Sequence, residues 1–166
     1  MVQDRFFAEI FTESGFVHIV RAGRAVANSV LQMPWWNGYR GPQHWLLGPL
    51  ARVLQEEWDS SAESFVMPAA LTWRVLMDSY ESAVKTLPAD RHLEIRYEDL
   101  LAQPEESLRA VCGFIGLDWS RRLSGAITRI LIDNSRGRAF EHDLSATQIA
   151  QLENCIGPLL SRYGYR

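Results

Sequence analysis

Phe16-Val17-His18-Ile19-Val20-Arg21-Ala22-Gly23-Arg24-Ala25-Val26-Ala27-Asn28-Ser29-Val30-Leu31 changes character at Arg21. Phe16–Val20 is a short apolar run with two valines and an isoleucine, the pattern of a strand buried on both faces of a parallel sheet. Arg21-Ala22-Gly23 breaks the run with a tight turn, and a helical pattern begins at Arg24. Strand, glycine turn and helix together place ligands at the carboxyl end of a strand. The first free N–H groups of the helix and its positive dipole end favour an anion there. Arg21 falls at the strand tip, where a planar guanidinium suits phosphate oxygens. Ser29 lies one turn beyond Ala25 on the same face, so its hydroxyl can reach the same anion. An ordinary strand–helix corner with its arginine in solvent fits the same residues.

A second informative strand is expected at His92–Tyr97, where Leu93, Ile95 and Tyr97 alternate with Glu94 and Arg96. Glu98-Asp99-Leu100 reads as the turn after it. Pro104-Glu105-Glu106 then opens a helix with Leu108, Val111, Cys112 and Ile115 inward and Gly116 as its stop. Elsewhere the spacing predicts helices over Arg5–Thr12, from Pro49 (Leu50, Val53, Leu54 and Trp58 inward), and from Pro68 (Ala69, Trp73, Leu76 and Tyr80 inward). Further helices are expected over Trp119–Ile132 and from a capping box at Ser145 and Gln148, the last kinked at Gly157-Pro158. Met33–Gly48 lacks helical period and gathers Trp35, Trp36, Tyr39, His44 and Trp45. A loop of this kind suits a wall for an acceptor substrate, or aromatic packing onto the core.

Arg21-x-Gly23-Arg24-x-Val26-x-x-Ser29 after a hydrophobic strand resembles the segment by which sulfotransferases grip the 3′-phosphate of 3′-phosphoadenosine 5′-phosphosulfate (PAPS). The passage from Arg91 through Tyr97-Glu98-Asp99-Leu100 to Phe114-Ile115-Gly116-Leu117 is similar to a second block of that family. The resemblance implies an α/β fold, a parallel sheet flanked by helices of the P-loop-NTPase-like sulfotransferase kind. It assigns Arg21 and Ser29 to the 3′-phosphate and Tyr97 to the adenine. Arg136, Gly137 and Arg138 look like the counterpart of the basic glycine loop that closes on the phosphate. Ala22 stands where many members have Asp, a residue that is not the phosphate ligand.

No segment here resembles the family's Pro-Lys/Arg-Ser-Gly-Thr-Thr phosphosulfate loop, and Lys85 is the chain's only lysine. The expectation is therefore one partial domain, residues 1–166, lacking the N-terminal strand–loop–helix and matching the C-terminal portion of the family. The implied reaction passes a sulfuryl group from PAPS to a hydroxyl or amine acceptor, with no metal. The alternative is a non-catalytic nucleotide-binding or protein-interaction remnant of the fold. Association with a chain or segment supplying the missing strand would fit either. The general base is unassigned, and His44 in the aromatic loop is the one histidine nominated as a substitute, although a hydrogen-bonded or exposed role fits it better.

The formal net charge of −3 argues against nucleic acid as a partner. Cys112 and Cys155 form no disulfide framework or metal spacing and read as core residues in a reducing compartment. Without an apolar run of spanning length or a signal-peptide pattern, no membrane is expected and the location reads as cytoplasmic.

Overall fold

The computed structural model describes residues 9–44, 49–61, 64–127, 129 and 135–165. In chain order the elements are β1 (Phe16–Val20), α1 (Gly23–Leu31), α2 (Arg52–Ser60) and α3 (Val66–Val84), followed by β2 (His92–Arg96), α4 (Tyr97–Ala102) and α5 (Pro104–Phe114). They continue with α6 (Arg121–Ile127), α7 (Phe140–Asp143) and α8 (Ala146–Arg162). Short 3-10 turns occupy Gly38–Arg40, Pro42–His44, Ala89–Arg91 and Ser135–Gly137. The chain forms two compact units, one built from residues 22–81 and 136–165, the other from residues 9–21 and 82–135.

In the second of these units β1 and β2 pair in parallel, Phe16 opposite His92 and Val20 opposite Arg96. Successive side chains on a strand point to opposite faces. Val20 is buried, but Val17 and Ile19 are 39 % and 53 % exposed, so β1 is not covered on both faces as its apolar run predicts. On β2, along which α5 packs, Ile95 is buried. The Arg91 guanidinium fastens the segment before β1, donating to the carbonyls of Ser14 at 2.9 Å and Phe11 at 2.7 Å.

β2 ends at Arg96, one residue before the expected boundary, and the anticipated turn is helix α4. Glu98 and Asp99 fall in its first turn, where acids oppose the positive dipole end. α5 follows with Pro104 in its first turn, and Gly116 at φ +72° ends it, the Leu117 N–H reaching back to the Cys112 carbonyl at 2.8 Å. The inward face expected of α5 is only half-buried, and Ile115 is exposed. α6 is described over Arg121–Ile127; Ile130, Leu131 and Ile132 lie outside the described residues, as do Phe6 and Phe7 of the first predicted helix.

The other unit is helical. α3 and α8 supply most of its core, including Leu71, Trp73, Leu152, Ile156 and Leu160. α1 packs on α7 and α8 through small residues, with Gly23, Ala25 and Ala27 buried. α2 begins at Arg52, three residues after Pro49, and Val53 faces outward. α3 begins at Val66, two residues before Pro68, and Leu76 is partly exposed. α8 carries both halves of the Ser145–Gln148 capping box and runs on through Pro158 to Arg162.

Candidate functional site

Arg21 leaves the end of β1, and Tyr97 leaves the end of β2 as the first residue of α4. Parallel pairing in register brings these two carboxyl ends side by side. The Arg21 guanidinium lies over the Tyr97 ring, 4.7 Å from its centroid, within the range of a cation–π contact. Two residues 76 positions apart in the chain, each assigned to the nucleotide for its own reason, are thus in contact.

Ser29 is on α1 and half-buried. The residues around it form a connected polar network. Asn28, the sole polar side chain in the buried set among the described residues, donates its amide N–H to Asp143 Oδ2 at 2.7 Å. Gln32, one turn further along, donates to the same oxygen at 2.7 Å. Arg136 then donates to Gln32 Oε1 at 2.5 Å. The Asn28 donor first, then Gln32 and the nearby Arg136 charge, hold the Asp143 carboxyl below its ordinary pKa. Gly137 completes the 3-10 turn with Arg136, and Arg138 donates to Glu141 at 2.8 Å.

Arg24, the second arginine of the motif, is structural. It donates to Glu153 at 2.6 Å and to the Tyr165 carbonyl at 3.0 Å, locking α1 to α8 and to the C-terminal Tyr163-Gly164-Tyr165. Gly23 serves packing, not turn geometry: a Cβ there would come within 2.7 Å of Ile156 and 2.8 Å of the Trp73 ring. Its backbone is helical, so the tight glycine turn read from the sequence is a close helix approach.

The aromatic loop is folded by its two 3-10 turns. Trp36 is buried against the backbone of Gly38, where any side chain would strike its ring, while Met33, Trp35 and Tyr39 are exposed. His44 is exposed at the end of the second turn, and Trp45 lies outside the described residues. A cavity of about 810 Å³ lies between α2, α3 and α8. Its Arg74 is engaged by both oxygens of Glu57, at 2.8 and 3.0 Å, which marks it as part of the scaffold. Among the described residues no group of three or more His, Cys, Asp or Glu side chains is placed to hold a metal ion. Among them no helix is long and apolar enough to cross a membrane.

Sequence reasoning missed Asn28, Gln32 and Asp143. A readable signal existed for the first: Asn28 interrupts the small-residue face of α1 at Ala25 and Ala27, and a polar group there must find a partner.

A parallel strand pair followed by helices, with an arginine and a tyrosine at its carboxyl ends, defines an α/β class. Residues 5–121 match the model of the Sulfotransferase family. The chain belongs to that family. It is similar to the omega-hydroxy-beta-dihydromenaquinone-9 sulfotransferases Stf3 of Mycobacterium bovis and Mycobacterium tuberculosis, 26 % identical over 157 residues to each. That alignment covers 95 % of this chain and 37 % of either relative, so the chain spans under two-fifths of their length. In fold it resembles the sulfotransferase domain from the curacin biosynthetic pathway, with a TM-score of 0.55 at 16 % identity, over 88 % of this chain and 53 % of that one. The parallel sheet flanked by helices is accordingly that of the sulfotransferase fold.

Proposed function

We propose that the chain carries the 3′-phosphate and adenine grips of a PAPS-dependent sulfotransferase, and that the complete enzyme sulfates a hydroxyl or amine acceptor. The contact between Arg21 and Tyr97 at the ends of two paired strands carries this reading. PAPS would supply the activated sulfuryl group. Tyr97 offers a purine an aromatic edge and a phenol, and its ring lies against the Arg21 guanidinium. Arg21 and Ser29 serve the 3′-phosphate, one as a charge-assisted fork and the other as a neutral donor. Arg136, Gly137 and Arg138 supply the basic turn. The donor set fits a phosphate: guanidinium and hydroxyl groups on ordered elements, the combination that binds phosphate oxygens directionally.

The Stf3 relatives act, by their name, on an omega-hydroxylated menaquinone. A hydroxyl on an apolar acceptor is therefore the class we assign here, with Met33, Trp35 and Tyr39 as the apolar surface offered to it. His44, exposed in the same loop, is the general base we nominate, to be tested by His44→Gln.

Calorimetry on the purified chain tests the nucleotide reading. Adenosine 3′,5′-bisphosphate should bind, and Arg21→Ala should weaken it by about tenfold or more, the value of a charge-assisted contact. The loss for adenosine 5′-monophosphate should be much smaller. An equal loss for both nucleotides removes the 3′-phosphate role.

The exposed Val17 and Ile19 favour a second reading, a nucleotide-binding or protein-interaction module that transfers nothing by itself. Sulfuryl transfer by this chain alone would defeat it.

A further inference from the structure

The loop at residues 33–44 divides its large side chains sharply. Met33, Trp35 and Tyr39 are 40 %, 58 % and 62 % exposed, while Trp36 among them is buried. Single apolar residues on a surface need no explanation, but three large ones in one short loop form a patch. Trp36 is the anchor: a Cβ on Gly38 would strike its indole, and the Tyr39 ring leans on it at 6.4 Å between centroids. Trp35 and Tyr39 are the rings that this anchor leaves outside.

The loop also satisfies its own backbone. The carbonyls of Met33, Asn37, Gly38 and Gly41 accept the N–H groups of Trp36, Arg40, Gly41 and His44 at 3.0–3.1 Å. Those of Trp35 and Arg40 accept from the side-chain amides of Asn37 and Gln43. Pro34 and Pro42 have no N–H to satisfy. Facing water, these carbonyls could be left to the solvent; against hydrocarbon they must be paired from within.

The charge along this stretch has one sign. No Asp or Glu falls between Glu13 and Glu56, although acids outnumber lysine and arginine in the whole chain by 20 to 17. Arg40, next to Tyr39, is exposed. A cation beside exposed aromatic rings complements a surface of anionic headgroups.

We propose that residues 33–44 seat on an anionic lipid bilayer, with Met33, Trp35 and Tyr39 entering the headgroup boundary and Arg40 meeting lipid phosphates. For what the loop collects there, this rests on the reading of an apolar acceptor given above. An apolar molecule with one hydroxyl partitions into a bilayer and offers that hydroxyl at the interface. Indole and phenol rings suit the same depth, apolar in body and wet at one end. Lying on a bilayer calls for no spanning helix.

Co-sedimentation of the full chain with vesicles tests this, using phosphatidylcholine alone and phosphatidylcholine mixed with phosphatidylglycerol. Wild type should bind the mixed vesicles, and the Trp35→Ala/Tyr39→Ala double variant should bind them about tenfold or more weakly. Both positions are exposed, so its Tm should match wild type. Arg40→Ala should lose about fivefold on mixed vesicles and nothing on neutral ones, the effect of one surface cation. Leu117→Ser changes a residue that is 60 % exposed elsewhere, and should stay within about twofold of wild type. Brominated acyl chains should quench tryptophan emission, and Trp35→Phe should reduce that quenching. The inference falls if wild type ignores mixed vesicles, if the double variant binds as wild type does, or if Leu117→Ser loses as much. It also falls if the double variant abolishes self-association of the chain in vesicle-free buffer instead, which would make the patch a protein contact. The acceptor reading has its own readout, a change in Trp35-dependent emission on adding decan-1-ol without vesicles. That change without vesicle binding sinks the lipid inference alone. Loop-dependent vesicle binding without that change keeps the lipid seat and sinks the acceptor reading.

Discussion

Gly23→Ala sets two opposed effects against each other at the corner of the motif. Alanine is the better helix former, by about 1 kcal/mol in a helix interior and less at an end. The added Cβ, however, would stand 2.7 Å from Ile156 Cδ1 and 2.8 Å from the Trp73 ring. An ordinary contact of this kind is about 3.5–4.0 Å, so one side must yield by about 0.7–1.3 Å. Ile156 is fully buried. The Trp73 ring is 3 % exposed and packs edge-on against Tyr163 at 6.5 Å between centroids, so it has little room. Overpacking of this kind costs about 1–3 kcal/mol, and the net destabilisation should be about 1–2 kcal/mol. In a chain of this size that lowers Tm by roughly 2–8 °C. Thermal and urea unfolding followed by circular dichroism give the measurement. Ile156→Val in the Gly23→Ala background should restore part of the loss, because it removes one of the two obstructions. Gly113→Ala supplies the opposite sign: nothing lies within 4 Å of a Cβ there, so the same substitution should stabilise by about 0.5–1 kcal/mol. If Gly23→Ala raises Tm as Gly113→Ala does, the close approach of α1 to the core is wrong.

Two further predictions concern titrating groups. Burial pushes the Cys155 thiol up to about 11, whereas Cys112 is half-buried. At pH 8 a disulfide reagent should modify one thiol per native chain, at Cys112, and the second only in denaturant; rapid native modification of Cys155 would contradict the packing of α8. Glu105 is held below its ordinary pKa, first by the Arg109 hydrogen bond at 2.6 Å and then by Ser124. A depressed carboxylate contributes stability that is present above its unfolded pKa and is lost as pH falls through the folded one. Glu105→Gln should therefore lower stability at pH 7 and lose its difference from wild type below the ordinary carboxylate range. A difference that persists unchanged to pH 2.5 in urea titrations would assign it to packing instead.

The fold was legible where local pattern and burial agree. Phe16–Val20 and the Leu93/Ile95 alternation announce strands, and the Ser145–Gln148 pair announces the start of α8, because each signal is decided within a few residues. Misreadings arose where a distant partner decides. The apolar β1 run implies cover on both faces, but cover is a property of neighbours, and Ile19 is exposed while Ile95 beside it on β2 is buried. Pro49 and Pro68 each fit the first turn of a helix, yet α2 starts later and α3 earlier, because proline permits a start without fixing one. Tyr97 continues the strand alternation in sequence, but Glu98 and Asp99 favour a helix start immediately after Arg96.

The candidate site divides in the same way. Arg21, Ser29 and Tyr97 are nominated from the sequence because each belongs to a contiguous block that resembles the family, and the structure adds the contact between Arg21 and Tyr97. Asp143 is not readable, since its partners Asn28 and Gln32 are 115 and 111 residues away and its own neighbours give no hint of them. What the sequence does expose is the debt such a residue settles. An amide set on a helix face of alanines and glycine cannot be buried without an acceptor, so Asn28 requires some group like Asp143 before any coordinate is known. The same acceptor then holds Gln32, and Gln32 receives Arg136. One link between the basic turn and α1 thus follows from the burial of a neutral amide one residue before the serine assigned to the phosphate.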